Sequence, residues 1–488
     1  AMALDPGFRQ VVRRGTAFAR AAADWTVKID AAGLPPGRVL HYRFHALGRT
    51  SMPGRTKTLP VSPVMQVRLA VFSCSNYPAG YFHAYAEAAR IADLDAAVHL
   101  GDYLYEYGRD GYASDDAAAL GRLSDPPTEI VALADYRRRH AQYRSDPDLQ
   151  ALHAAAPMIA VWDDHEIAND TWREGAENHD SATEGPFEAR KAAALQAYHE
   201  WMPTRLADPG RPDRLWRSFT FAQLVDLHML DTRLVGRDLQ LDYRDYVGAA
   251  GFDAVRFAAD LGNPTRQLLG AEQSAWLTQR MAATRAQWTV LGQQVLMGRM
   301  NVPAPLVLGQ ITFAAYSALL VKAQTAPGTL TPQELAILAQ PSIPYNLDAW
   351  DGYAAARETV LGAARALDKN LVVLAGDTHN AWASDLQDFA GRQVGVEFAT
   401  PAVSSPGLEA YFPNENPVAV AAGLEQIIGP LVYANTKDRG FMIVTATPDE
   451  CRAEWRFVSS VKTASYTAFT GRVLRTLPGA GQRRVVEV

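Results

Sequence analysis

Cysteine is nearly absent from this chain: Cys74 and Cys451 are the only two in 488 residues. Two cysteines cannot supply a disulfide framework, so the fold must rest on a hydrophobic core, with one bridge at most. No apolar run reaches the roughly 18 residues that a membrane-spanning helix needs. The first residues, Ala1 to Pro6, lack the basic and apolar regions of a secretory signal peptide. Neither sign of charge dominates, with 47 Lys and Arg against 53 Asp and Glu and a net charge of -6. That balance excludes a nucleic-acid binder of the globally basic kind. It does not exclude an anionic substrate, because a metal can supply positive charge locally. Internal repeats and low-complexity tracts are also absent.

What is present is globular. Hydrophobic residues make up 48% and charged residues 20% of the chain, enough for a sizeable core. The length suits one large catalytic domain with an accessory. Residues 1–62 read as a small β unit, with strands expected at Trp25–Asp30 and Val39–Ala46 around the turn Leu34–Gly37. Residues 63–465 read as the catalytic domain, and 466–488 as a C-terminal tail. Gln66–Phe72, Tyr81–Leu94 and Asp95–Leu100 follow as strand, helix and strand, the pattern of a parallel βαβ unit. Met158–Trp162, Trp288–Gln293 and Leu371–Ala375 are further buried-strand candidates. Phe187–Trp201 is a helix, Phe219–Leu230 a pair of strands, and Gly440–Ala446 with Arg452–Val458 a hairpin. Residues 301–346 mix proline with helical pieces and read as an insertion, a lid over a site.

The chemically informative residues each follow a candidate strand. Val71–Cys74, Leu100–Tyr105, Val161–Glu166 and Leu374–His379 all run from apolar strand into polar groups. Open α/β sheets bind ligands outside the carboxyl ends of their strands. Separate segments would therefore bring carboxylates, imidazoles, a phenol and a thiol to one place. Phosphoester hydrolysis uses such a mixture, because two metals can clamp the attacking and leaving oxygens and acidify a bound water. Asp102, after Gly101, is the candidate bridging ligand, and Tyr105 can reach the same metal. A phenolate with a thiolate favours high-valent iron. An all-oxygen neighbour such as Asp164 suits calcium, magnesium or manganese.

The sequence resembles the alkaline phosphatase D (PhoD-like) family of metallophosphoesterases from about Asp5 to about Val461. The segments that carry the resemblance are FSCSNY, HLGDYLYEYG, VWDDHEIANDTW, GPFEARKAAALQAYHEWMP, LDTR, LGQQV, NLDAWDGY and AGDTHNAW, in that order. The resemblance implies an α/β fold: a four-layer αββα core behind a partial N-terminal β-sandwich of immunoglobulin or fibronectin type. It implies phosphomonoesterase or phosphodiesterase activity by a metal-bound hydroxide, with a phospholipase D-like diesterase and a non-catalytic surface protein as alternatives. It implies a ferric ion beside calcium, with magnesium, manganese or zinc as substitutes. By position, Cys74, Asp102, Tyr105, Asp164, Asp377 and His379 would hold metal, with Asp102 bridging. His165 would contact the substrate, and Arg233 would clamp phosphate with its planar guanidinium. The family also points to export, to the periplasm or beyond the cell. Gln293, Gln294 and Asn169 lie close to these motifs without a defined role. His83, His99 and His228 read as structural.

Overall fold

In a computed structural model, which describes residues 1–206, 208–249 and 251–488, two seven-stranded sheets form the centre of the protein. The first runs, in spatial order, Val486–Glu487, Ala468–Thr476, Cys451–Val458, Arg439–Ala446, Val67–Phe72, Ala96–His99 and Met158–Ala160. The second runs Arg217–Phe221, Val225–Met229, Trp288–Gly292, Leu371–Ala375, Gln393–Ala399, Ala381–Gln387 and Leu431–Asn435. Within the first, Val67–Phe72, Ala96–His99 and Met158–Ala160 are parallel. Within the second, Val225–Met229, Trp288–Gly292, Leu371–Ala375 and Gln393–Ala399 are parallel. Val67–Phe72, Ala96–His99, Trp288–Gly292 and Leu371–Ala375 are largely apolar, as strands covered on both faces require, whereas Val225–Met229 and Gln393–Ala399 bury Asp226, His228 and Glu397 among their apolar residues.

One apolar cluster joins the sheets. It holds Val71, Val98 and Trp455 from the first with Leu227, Val290, Leu374 and Phe398 from the second. A second cluster packs Leu277, Met281, Val360, Leu361 and Leu424 of three helices against Leu291, Val373 and Leu386. Val71 and Val373 are fully buried. Both sheets thus end their parallel strands at one rim, and a bridge between Ser73 and Ala402 ties the rims together.

Three sequence expectations need correction. Trp25–Asp30 is not a strand. Asp24 and Trp25 both take left-handed φ values, of 51° and 58°, which turn the chain away from extended geometry. The alternating polar residues serve instead to bind the segment to the catalytic unit: the Trp201 indole donates to Asp24 (3.1 Å), Lys28 donates to the Thr204 carbonyl (2.7 Å) and Arg205 pairs with Asp30 (2.7 Å). The unit formed by the first sixty residues is a four-stranded antiparallel sheet, Val11–Arg13, Met2–Ala3, Val39–Tyr42 and Gly54–Lys57, with a short hairpin at His45–Thr50.

Residues 466–488 are not a tail either. Ala468–Thr476 pairs along its length with Cys451–Val458, and Val486–Glu487 adds the edge strand. Within Ala468–Thr476 only Leu474 and Thr476 are buried, so the alternation that betrays a strand is confined to its end. In the excursion 301–346, Asn301–Pro303 pairs with Ser342–Pro344 and closes its neck. Its helices stand away from the cavity described below, whose wall takes only Tyr345 and Asn346 from this region.

Candidate metal centre and active site

Four of the expected ligands sit on strained backbone. Cys74, Asp102, Asp377 and His379 have φ of 60°, 53°, 64° and 63°, a left-handed region that non-glycine residues enter at a cost and hold where surrounding structure imposes it. Each lies just past a parallel strand, where the chain must turn sharply and point its side chain at the rim. Gly101 makes the turn before Asp102 at φ 112°, and a Cβ there would stand 2.4 Å from the Asp163 Cβ. Replacing Gly101 with alanine is expected to cost about 2–4 kcal/mol through overpacking and backbone strain together, measured by denaturant unfolding, and to displace Asp102.

The side chains converge as donor groups. One atom each from Cys74, Asp102 and His379 lie within 4.8 Å of one another, as do atoms from Asp102, Asp164 and His165, and from Asp163, Asp164 and Asp377. Asp102 belongs to two groups and Asp164 to two, so the groups form one chain of ligating atoms. Tyr105 joins the first: its hydroxyl donates to Asp102 Oδ2 at 3.0 Å and lies 3.2 Å from His379 Nε2. Ser405 donates to the same phenol oxygen at 2.8 Å. Cys74 and Cys451 are both free thiols and do not pair.

The second layer of contacts fixes these groups. The Pro406 carbonyl, which can only accept, lies 2.6 Å from His379 Nδ1. The proton is therefore on Nδ1 and the Nε2 lone pair points at the centre, as metal-ligating histidines require. Burial lowers His379 to about 3, which keeps the ring neutral. Glu166 accepts from the backbone N–H groups of Asp102 (3.0 Å), Tyr103 (2.5 Å) and Asp163 (2.7 Å), tying two strand ends together. His165 Nδ1 lies 2.7 Å from Glu106 Oε2, and Glu106 is held in turn by Asn169 and Asn178. Burial opposes a charge on His165, yet Glu106 and then Asp164 raise its pKa well above the ordinary value. The ring lies beside that of Tyr105, with centroids 4.1 Å apart and planes inclined by 32°.

Whether these residues suit a metal can be read from two features. Asp102 Oδ1 and Asp164 Oδ1 are buried acceptors without a hydrogen-bond partner, although buried carboxylate oxygens are ordinarily satisfied. Burial also pushes the Cys74 thiol and the Tyr105 phenol well above their usual ranges, with Asp102 adding to both. Burial likewise raises Asp102 itself and lifts Asp377 to about 7. Such a set of groups can ionise together only around cations. The donor set fits.

Arg233 is not where a phosphate clamp would stand. It is fully buried, its Nε donates to Asp163, its Nη1 to Asp348 at 2.7 Å and its Nη2 to Asp377 at 3.2 Å, with Asp164 at 3.6 Å. Its fork is spent on carboxylates, and it does not line the cavity. Gln294 donates to the Trp162 and Leu230 carbonyls and accepts from Thr232, while Gln293 accepts from the Trp350 indole. Both hold loops in place. His99 is likewise structural, 2.8 Å from the Tyr85 hydroxyl. Sequence reasoning missed Asp348, Glu106 and Ser405 as site-shaping residues. The first two lie inside segments already singled out, NLDAWDGY and HLGDYLYEYG, and no local pattern distinguishes them there.

Above the donor groups opens a cavity of about 350 Å³, walled by Asp102, Asp164, His165, Asp377 and His379 and by tyrosines 107, 112, 345 and 411. Residues 69–455 match the PhoD-like phosphatase family, and residues 1–60 match the N-terminal domain of PhoD-like phosphatases. The chain belongs to the PhoD-like phosphatase family. It is 36% identical to alkaline phosphatase D of Bacillus subtilis (strain 168) over 472 residues, 94% of this chain and 71% of that protein. A solved structure of PhoD superposes with a TM-score of 0.80 at 33% identity, over all of this chain and 84% of that one. The mixed α/β fold, with its several sheets, is that of PhoD. Membership makes the chain a phosphoester hydrolase with a phosphate ester as its substrate, and its Asp, His and Cys groups are suited to metal ions. No described helix is long and apolar enough to cross a membrane.

Proposed function

We propose that the chain cleaves phosphate esters at a centre of two or more cations, a high-valent iron at Cys74, Asp102, Tyr105 and His379, and calcium at Asp102, Asp164 and Asp377. The observation that carries this reading is Asp102: one buried carboxylate common to two donor groups, with an oxygen that nothing in the protein satisfies. The thiol and phenol of the first group favour iron, and the carboxylates of Asp102, Asp164 and Asp377 favour calcium, with magnesium, manganese or zinc as substitutes. Bound there, such cations supply Lewis acidity toward phosphoryl oxygens and lower the pKa of water.

The protein's own part is positioning and proton delivery. His165, held cationic by Glu106 and exposed to the cavity, hydrogen-bonds a phosphoryl oxygen and protonates the leaving alkoxide. Arg233 keeps Asp163, Asp164 and Asp377 at fixed separations by neutralising part of their mutual repulsion. Glu166 fixes the turns that carry Asp102 and Asp163. We read the two sheets, each with helices outside it, as a four-layer αββα core, and the N-terminal sheet as one face of a sandwich. The same reading places the protein in the periplasm or outside the cell.

The test is hydrolysis of p-nitrophenyl phosphate and bis-p-nitrophenyl phosphate at neutral and alkaline pH, with added calcium and after chelation. Turnover that a chelator removes and metal restores is the expected result, and the preferred reporter separates monoesterase from diesterase. Failure of the metal-loaded protein to cleave either compound would sink the proposal.

A further inference from the structure

The Tyr105 phenol oxygen meets three polar groups. It donates its one proton to Asp102 Oδ2 (3.0 Å), lies 3.2 Å from His379 Nε2 and accepts from the Ser405 hydroxyl (2.8 Å). Asp102 and His379 are themselves donor groups for a cation. A cation that takes both removes the acceptors of the phenol proton, and the phenol joins it as phenolate. Ser405 then remains as the hydrogen-bond donor to that oxygen, the only one among the described residues. Ser405 is fully buried, and residues 402–406 fix its place by crossing the rim. Ala402 bridges Ser73, the N–H groups of Ser404 and Ser405 reach the Cys74 carbonyl at 3.4 and 3.3 Å, and the Pro406 carbonyl faces His379 Nδ1. The Ser405 hydroxyl has a second acceptor within reach, the same Cys74 carbonyl at 3.0 Å. Its single proton goes to the anion, because a charge-assisted hydrogen bond is about twice as strong as a neutral one and the carbonyl already has two N–H donors.

We infer that Ser405 is a positioning residue for the phosphatase reaction: its hydroxyl holds the Tyr105 phenolate and withdraws electron density from it, which leaves the iron a stronger Lewis acid toward the ester. The inference rests on the iron assignment proposed above. A hydrogen bond lowers the energy of the lone pair that receives it, so the phenolate donates less to the cation. Groups that hydrogen-bond a ligand from outside tune a metal centre in this way. A hydroxyl does so without adding charge to a site where Asp102, Asp163, Asp164 and Asp377 already stand close together.

The iron-loaded protein should show a tyrosinate-to-iron absorption band, identified by resonance Raman through the tyrosinate ring modes. In Ser405→Ala that band should move to longer wavelength, because the phenolate lone pair rises once its donor is gone. Iron content, measured by elemental analysis, should stay constant, and kcat for p-nitrophenyl phosphate should fall about tenfold with KM within about twofold. A second measurement needs no variant: in the unaltered protein, exchanged into D2O before loading, the tyrosinate C–O stretch should shift, since its oxygen accepts an exchangeable hydrogen. Should Ser405→Ala fail to fold, that shift decides alone. A band that stays in place in Ser405→Ala overturns the inference, as does a C–O stretch insensitive to D2O. Loss of iron from the variant overturns it too, by making Ser405 a support for the ligands and nothing more. These outcomes leave the iron assignment and the phosphatase reading standing. An unaltered protein that cleaves p-nitrophenyl phosphate with no such band removes the iron assignment and the inference with it, and one that cleaves neither reporter removes the phosphatase reading itself.

Discussion

Replacing Asp102 with asparagine should lower kcat for p-nitrophenyl phosphate by roughly a thousandfold or more, since several kcal/mol of transition-state stabilisation depend on the cations it binds. Asparagine is the informative substitution. It has the same shape, it tolerates the left-handed φ of 53°, and its amide oxygen still accepts from the Tyr105 hydroxyl. The backbone contact to Glu166 is untouched. What disappears is one negative charge at the point where two donor groups meet. Metal analysis should show at least one cation lost. Stability should move the other way in chelator: the apo protein buries Asp102 among Asp163 and Asp164, which raise its pKa along with burial. Removing that carboxylate should leave the metal-free variant as stable as the metal-free parent, or more so. Turnover within tenfold of the parent, with metal retained, would show that the bridging assignment is wrong.

Arg233→Met should destabilise the protein by about 3–5 kcal/mol in denaturant unfolding, because it strands buried carboxylates that had a charge partner. Asp163, Asp164, Asp348 and Asp377 all face this one guanidinium, and burial with Arg233 beside it dominates the balance at Asp163. Arg233→Lys should fall between, since an ammonium cannot reach several carboxylates in the geometry of a planar fork. The two readings of Arg233 differ in what moves. A phosphate clamp would raise KM and leave unfolding unchanged. A residue that organises carboxylates loses stability first and loses kcat through misplaced ligands. An unchanged midpoint with a raised KM restores the clamp.

The strands Val67–Phe72, Ala96–His99, Met158–Ala160 and Leu371–Ala375 and the residues that follow them were legible because a strand covered on both faces is largely apolar, and the change from apolar to polar at Cys74, Asp102, Asp164 and Asp377 marks where it leaves the core; their order in the two sheets was not. Edge elements were not legible. Ala468–Thr476 buries only two residues, too few for a period-two signal. Trp25–Asp30 has alternation but spends it on contacts to residues 201–205, which lie far off in sequence.

The sequence by itself determined the family, the chemistry of the donor set and the segments that carry it, because residue type and position relative to a strand end are local properties. Only the tertiary structure decided how the donors group. That Asp102 serves two groups, that Arg233 turns inward to carboxylates and that Asp348 and Glu106 belong to the site all depend on distances between segments that meet only when both sheets bring their strand ends to one rim. Charge compensation inside a fold is a property of those distances, and no spacing along the chain encodes it.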